Sequence, residues 1–243
     1  MKLLIFLLGF TGMFSVLGAQ EIEFVSSAAA AGSLDRLERH ALLTMENYYY
    51  FMQGVDPAHT SAALDRSMAL AQDALLTFEQ FTLRRPQWEP ALRRLDGYWT
   101  NIRTRCVHTP RPGGGKIMVD HYREMESLIE QIRRELHVSS HSQKEFLRRY
   151  KRQIHYLSLL YILYQRTADP AFKTLLDAGI LELRSLNNRL LLWMENSEKF
   201  DTARRNRLIR TVREFLSLIA DKNSDPDRVY GLVQTIERTL SAG

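Results

Sequence analysis

Along most of the chain, apolar residues recur at steps of three and four, the spacing that lays one stripe along an α-helix. Leu34, Leu37, Ala41, Met45, Tyr48 and Met52 form a first stripe, which stops near Gly54. Leu64, Met68, Ala71, Leu75 and Phe78 alternate steps of four and three, the seam of a helix built for a bundle. Leu92, Leu95, Trp99, Ile102 and Cys106 give a third stripe, and Met118, Tyr122, Met125, Ile129, Ile132 and Leu136 a fourth. Four more follow: Phe146 to Tyr164, Phe172 to Trp193, Leu208 to Ile219, and Val229 to Leu240. No window alternates with period two for long enough to make a strand. The pattern predicts an all-α protein of eight helices.

Helix starts are marked by one device used three times. An aspartate caps and a proline takes the first helical position, where its missing N–H costs nothing, at Asp56-Pro57, Asp169-Pro170 and Asp225-Pro226. Residues 20–32 lack periodicity and read as a flexible tether, with Ser33 as the first cap. Pro110, Pro112 and Gly113-Gly114-Gly115 read as a linker. They do not make a phosphate-binding loop, because Ile117 rather than Ser or Thr follows Lys116. Residues 137–142 read as a hinge, with Ser142 and Glu145 as a capping box before Phe146.

The aspartate-proline device also exposes a repeat. Asp56-Pro57-Ala58 returns as Asp169-Pro170-Ala171, and at the same offset of 113 (169 − 56) Arg39, Tyr48 and Phe51 fall opposite Arg152, Tyr161 and Tyr164. Ala62-Ala63 fall opposite Leu175-Leu176. The match continues at offsets of 117 (212 − 95) and 104 (232 − 128), a drift set by loop lengths, and predicts two sequence-related four-helix halves, 33–136 and 143–243, joined by the hinge.

Composition changes the picture at the N-terminus and in the charge balance. Lys2 followed by the apolar run Leu3 to Phe14 and the small residues Gly18-Ala19 reads as a secretory signal peptide over 1–19. The rival is an uncleaved anchor, since the uncharged run lies at the lower edge of spanning length. The expected location is periplasmic or extracellular. With Cys106 as the single cysteine, no intrachain disulfide forms and the fold relies on packing; the thiol itself is expected in the core. Net charge is +5, but residues 20–141 carry 14 basic and 16 acidic groups, whereas 142–243 carry 18 and 12. An acidic surface would therefore meet the second half.

Five arginines crowd one stretch: Arg204, Arg205, Arg207, Arg210 and Arg213, with Arg148, Arg149 and Arg152 as a second basic patch. The bland reading is a solvated face; the functional one is a docking surface for carboxylates, phosphates or lipid head groups, which the guanidinium fork engages. The run Tyr48-Tyr49-Tyr50-Phe51 covers nearly the full circumference of a helix, so it serves core packing or a ligand pocket. His137, His141 and Glu145 have ligand spacing on a continuous helix, but the hinge interrupts it, and no metal site or cofactor is expected. Hydrolase elbows, zinc-protease helices and nucleotide fingerprints are missing, so no enzyme is expected.

The run from Arg39 to Met45, the seam helix after it and the helix of Leu92, Leu95 and Trp99 resemble the N-terminal sensor domain of type IV pilus methyl-accepting chemotaxis transducers. Arg152-Gln153 with Leu157-Ser158 echoes the opening in the second half. The resemblance implies a helical, extracytoplasmic, ligand-sensing module, with Arg39 and Arg152 as its candidate ligand contacts. Two functions follow. One is a non-enzymatic envelope interaction module that binds a protein partner or anionic component through its basic second half, with a membrane surface or a second copy as further contacts and no nucleic acid. The other is a solute-binding sensor holding a small anion between helices through Arg39, Tyr48, Tyr49 and Arg152.

Overall fold

The computed structural model describes residues 26–136, 143–197 and 200–241. These form α1 (Ser27–Met52), α2 (Pro57–Thr82), α3 (Glu89–Cys106), α4 (Gly114–Glu135), α5 (Gln143–Thr167), α6 (Pro170–Glu195), α7 (Thr202–Ala220) and α8 (Pro226–Ser241). A single 3-10 turn, Pro86–Trp88, precedes α3, and no strand occurs among the described residues. The protein is all-α, as the apolar spacing predicts. No described helix is long and apolar enough to cross a membrane. The segment 1–19 and the hinge 137–142 lie outside the described residues.

The caps work as their chemistry requires. The Asp56 carboxylate accepts from the His59 amide at 3.4 Å, Asp169 from Ala171 at 2.8 Å, and Asp225 from Asp227 at 3.0 Å, each satisfying a first-turn N–H that has no helical partner. Gly54, at φ 79°, makes the left-handed turn between α1 and α2 that a side chain would strain.

Two helices form the centre. α1 packs on α2, α3, α4 and α5, while α5 packs on α1, α6, α7 and α8. Surrounded in this way, α1 is buried at every residue from Thr44 to Tyr50, and α5 from Leu157 to Leu163. A helix covered on all sides no longer needs a polar face, which is why the tyrosine run fits there. The Tyr50 and Ser158 hydroxyls pair at 2.8 Å across the α1–α5 contact. Trp99, Phe78, Phe81 and Phe215 fill the spaces between the central pair and the outer helices, each contributing about 1.5–3 kcal/mol by leaving water. Cys106 lies in this core, its sulfur 3.7 Å from that of Met118.

Two segments differ from the expectation. The tether ends by Ser26, whose side chain caps α1 by accepting from the Ala29 amide at 3.1 Å; Ser33 is buried inside the helix. Alanine is the strongest helix former, and Ala30 and Ala31 gain buried contacts, so residues without amphipathic rhythm extend the helix. The linker stops at Gly113, because Gly114 and Gly115 begin α4 and are buried. A Cβ on Gly115 would stand 2.6 Å from Leu163 Cδ2 and 3.0 Å from the Tyr49 hydroxyl, so glycine there permits close approach of three helices.

Candidate functional site

Register places the candidate site. α1 and α2 run antiparallel, with the Thr44 and Ser67 hydroxyls 3.1 Å apart, and α8 lies on the other flank of α1, where the Tyr230 hydroxyl donates to Asn47 Oδ1 at 3.3 Å. Between α2 and α8 a cleft of about 290 Å³ opens over α1. Its floor is Arg39, His40, Leu43 and Asn47, which step along one face of α1. The α2 wall is low, built from His59, Ala62, Ala63, Arg66, Ser67 and Leu70. Tyr230, Gln234 and Glu237 form the α8 wall, and His155 of α5 closes the cleft at depth.

One end of this cleft holds a tight group of charges. Glu237 accepts from Arg39 at 2.5 Å, faces Lys151 at 3.6 Å and lies 3.4 Å from His155 Nε2. The other imidazole nitrogen of His155 lies 2.6 Å from Glu46. Burial opposes a charge on His155, but Glu46 and Glu237 outweigh it and carry its pKa up to about 9. Burial would likewise raise Glu237, yet His155, Arg39 and Lys151 hold it down at about 2. At neutral pH His155 is therefore a cation alongside Arg39 and Lys151, with Glu237 ionised between them. Nearby, burial and the adjacent Arg39 and Arg36 press His40 down to about 4, leaving a neutral ring whose buried Nδ1 has no hydrogen-bond partner.

Arg39 suits this place. Glu237 orients one of its terminal nitrogens, while its side chain remains 49% exposed and its other N–H groups have no protein partner among the described residues. An arginine oriented by a carboxylate and open on its remaining edge can accept an anion.

The other sequence candidates are dispersed. Tyr48 and Tyr49 are buried away from the cleft: the Tyr48 hydroxyl donates to the His108 carbonyl, and Tyr49 packs at Gly115. Their face of α1 turns toward the core rather than a pocket, because α1 is central. Arg152 is engaged by Glu38 and by Glu126 at 3.2 Å, and Arg148 by Asp35 and Glu145. Both therefore tie helices together rather than forming an open basic patch. Glu38 is 2% exposed, and burial lifts its pKa to about 7 against the pull of Arg152. Arg149 pairs with Glu182 at 2.7 Å on the surface.

On α7, Arg204 caps α8 by donating to the Thr239 carbonyl at 3.1 Å and lies 4.2 Å over the Phe200 ring. Arg205 is half-buried. Arg207, Arg210 and Arg213 are exposed, with no ion pair among the described residues. His137 and His141 lie outside the described residues, while Glu145 binds Arg133 at 2.7 Å. Among the described residues no three His, Cys, Asp or Glu side chains are grouped to hold a metal.

Sequence reasoning passed over His40, His59, Arg66, His155, Tyr230 and Glu237. A signal existed for part of this set: Glu46 and Asn47 interrupt the apolar face beside the tyrosines, and His155 interrupts that of α5. Polar groups on a core face need partners, and theirs are each other and α8. No protein-family model matches the chain, and neither a curated protein nor a solved structure is similar to it.

Proposed function

We propose that this is an exported, non-enzymatic receptor module of two related four-helix halves that binds a small anion in the cleft between α1, α2 and α8. The carrying observation is Arg39, aligned by Glu237 at 2.5 Å and otherwise open to the cleft. Excess positive charge beside a concave, partly apolar lining favours an anion over a neutral solute. Binding rather than catalysis is supported by the cleft hydroxyls, since Ser67 donates to the Leu64 carbonyl at 2.9 Å and Tyr230 to Asn47 Oδ1 at 3.3 Å instead of facing a base. The N-terminal apolar run supports export, and the likeness to chemotaxis sensor domains agrees with a ligand contact at Arg39. The test is NMR titration with acetate and with inorganic phosphate, read at the His40 and His59 rings. Saturable shifts that vanish in Arg39→Ala are expected; no shift with either anion would overturn the reading.

A second reading is carried by Arg207, Arg210 and Arg213, exposed on α7 without carboxylate partners among the described residues. They would dock an acidic protein or anionic component of the envelope. Reversing all three to glutamate should abolish retention on anionic vesicles or an acidic partner and change stability by no more than about 0.5 kcal/mol, as for most surface substitutions. Retention that survives reversal counts against it.

A further inference from the structure

At the offset of 113 that aligns the two halves of the sequence, His59, Ala63, Ser67 and Leu70 of the cleft correspond to Phe172, Leu176, Ile180 and Leu183. The four second-half residues are all buried, at 2%, 0%, 7% and 0% exposure. In the first half, Ser67 is buried and Ala63 half-buried, but His59 is exposed and Leu70 is 38% exposed. The polar position differs in the same sense. His40 corresponds to Gln153, whose amide donates to the Gly179 carbonyl of α6 at 3.1 Å, whereas His40 Nδ1 has no partner. So one half fills this surface with apolar side chains, and the other leaves a space lined by alanines and an unsatisfied imidazole.

The cleft is an open groove, and the low α2 wall leaves room beside α1 for an apolar group that would make the contacts a larger side chain makes elsewhere. The small side chains Ala62, Ala63 and Ser67 let α2 approach α1 more closely than α6 approaches α5, and the cleft that remains, about 290 Å³, has room for a phenyl ring and a short chain. The ring of Tyr230 stands at the far end of the space, 6.1 Å from that of His59 and near edge-on to it. From Arg39 to Asn47 the helical rise gives the cleft a length of about 12 Å. Arg39 and Arg66 line the cleft, with His155 and Lys151 beside them against Glu237 and Glu46, an excess of positive charge that suits an anion.

On the reading of this cleft as an anion site, we infer that its ligand is an aromatic monocarboxylate, held at the carboxylate by Arg39 with its ring along Ala62 and Ala63 toward Tyr230. The apolar body supplies most of the affinity and the carboxylate sets its direction, as in pockets where a few polar groups orient a largely apolar ligand.

The test is isothermal titration of the full chain at neutral pH with 3-phenylpropionate, acetate and inorganic phosphate. 3-Phenylpropionate should bind at least about tenfold more tightly than either other anion, since burying a ring adds apolar area that they lack. Ala63→Leu, which restores the side chain of the other half, should weaken 3-phenylpropionate about tenfold or more and leave acetate unchanged. Ala62→Leu serves as a second filling variant should the first fail to fold. Phosphate or acetate binding as tightly as 3-phenylpropionate, or both filling variants binding it like wild type, overturns the aromatic ligand while the anion site stands. Failure of all three anions to bind overturns the anion site itself.

Discussion

Replacing His155 by leucine tests whether the charge cluster beneath the cleft is as the geometry describes. The imidazole is 4% exposed between Glu46 and Glu237, and its pKa rises from 6.5 to about 9. Between those values the folded chain keeps a proton that the unfolded chain releases. A rise of about 2.5 units at 1.36 kcal/mol per unit is worth about 3 kcal/mol. Because the folded pKa is the higher one, this stability is complete below pH 6.5 and disappears as pH rises through about 9. His155→Leu removes that dependence and leaves Glu46 buried without its partner, which costs about 3–5 kcal/mol for a broken buried pair. Urea denaturation followed by circular dichroism, on both proteins from about pH 6 to pH 9.5, reads the effect, because groups away from His155 titrate alike in both and cancel in the difference. The gap between wild type and variant should be largest at low pH and narrow by about 3 kcal/mol across the range. A constant gap would mean that His155 is neutral in the folded protein, and the charge count at the cleft would fall with it.

Other substitutions probe the parts that hold the site. Gly115→Ala should destabilise the protein by about 1–3 kcal/mol, because its methyl would meet Leu163 Cδ2 at 2.6 Å where α4 approaches α1 and α5; an unchanged melting temperature would show that this approach is looser. Arg152→Met should cost up to about 3–5 kcal/mol near pH 9, where buried Glu38 is ionised and loses its partner. The loss should shrink toward pH 5, where Glu38, at about 7, is protonated, so an equal loss at both pH values refutes the pairing. Arg149→Ala, which breaks an exposed pair with Glu182, should cost less than about 1 kcal/mol in the same denaturation experiment.

Helix number and placement were legible because steps of three and four, aspartate caps and prolines act locally. Asp56, Asp169 and Asp225 cap wherever their helices lie in space. Where the boundaries slipped, tertiary contacts were responsible. Alanines at 28–31 carry no amphipathic rhythm, yet Ala30 and Ala31 bury against the bundle, and Gly114 and Gly115 are poor helix formers held in α4 by close packing. Tyr48 and Tyr49 were read as pocket candidates because a single helix cannot say how many neighbours surround it. The arginines at 148 and 152 looked like a surface patch, since carboxylates at 35, 38 and 126 are distant in sequence and near only in the fold.

Local chemistry along the chain thus determined an all-α protein with eight helices among the described residues, the starts of those capped by aspartate and proline, and a lone cysteine in the core. Which residues stand beside Arg39 was decided by the tertiary structure alone. The cleft joins α1, α2, α5 and α8, and its charged end unites Arg39, Glu46, Lys151, His155 and Glu237. Helix periodicity reports which face of each helix seeks burial, whereas the identity of the facing helix depends on how four separate segments pack. A site assembled from single residues on such segments has no spacing of its own to read.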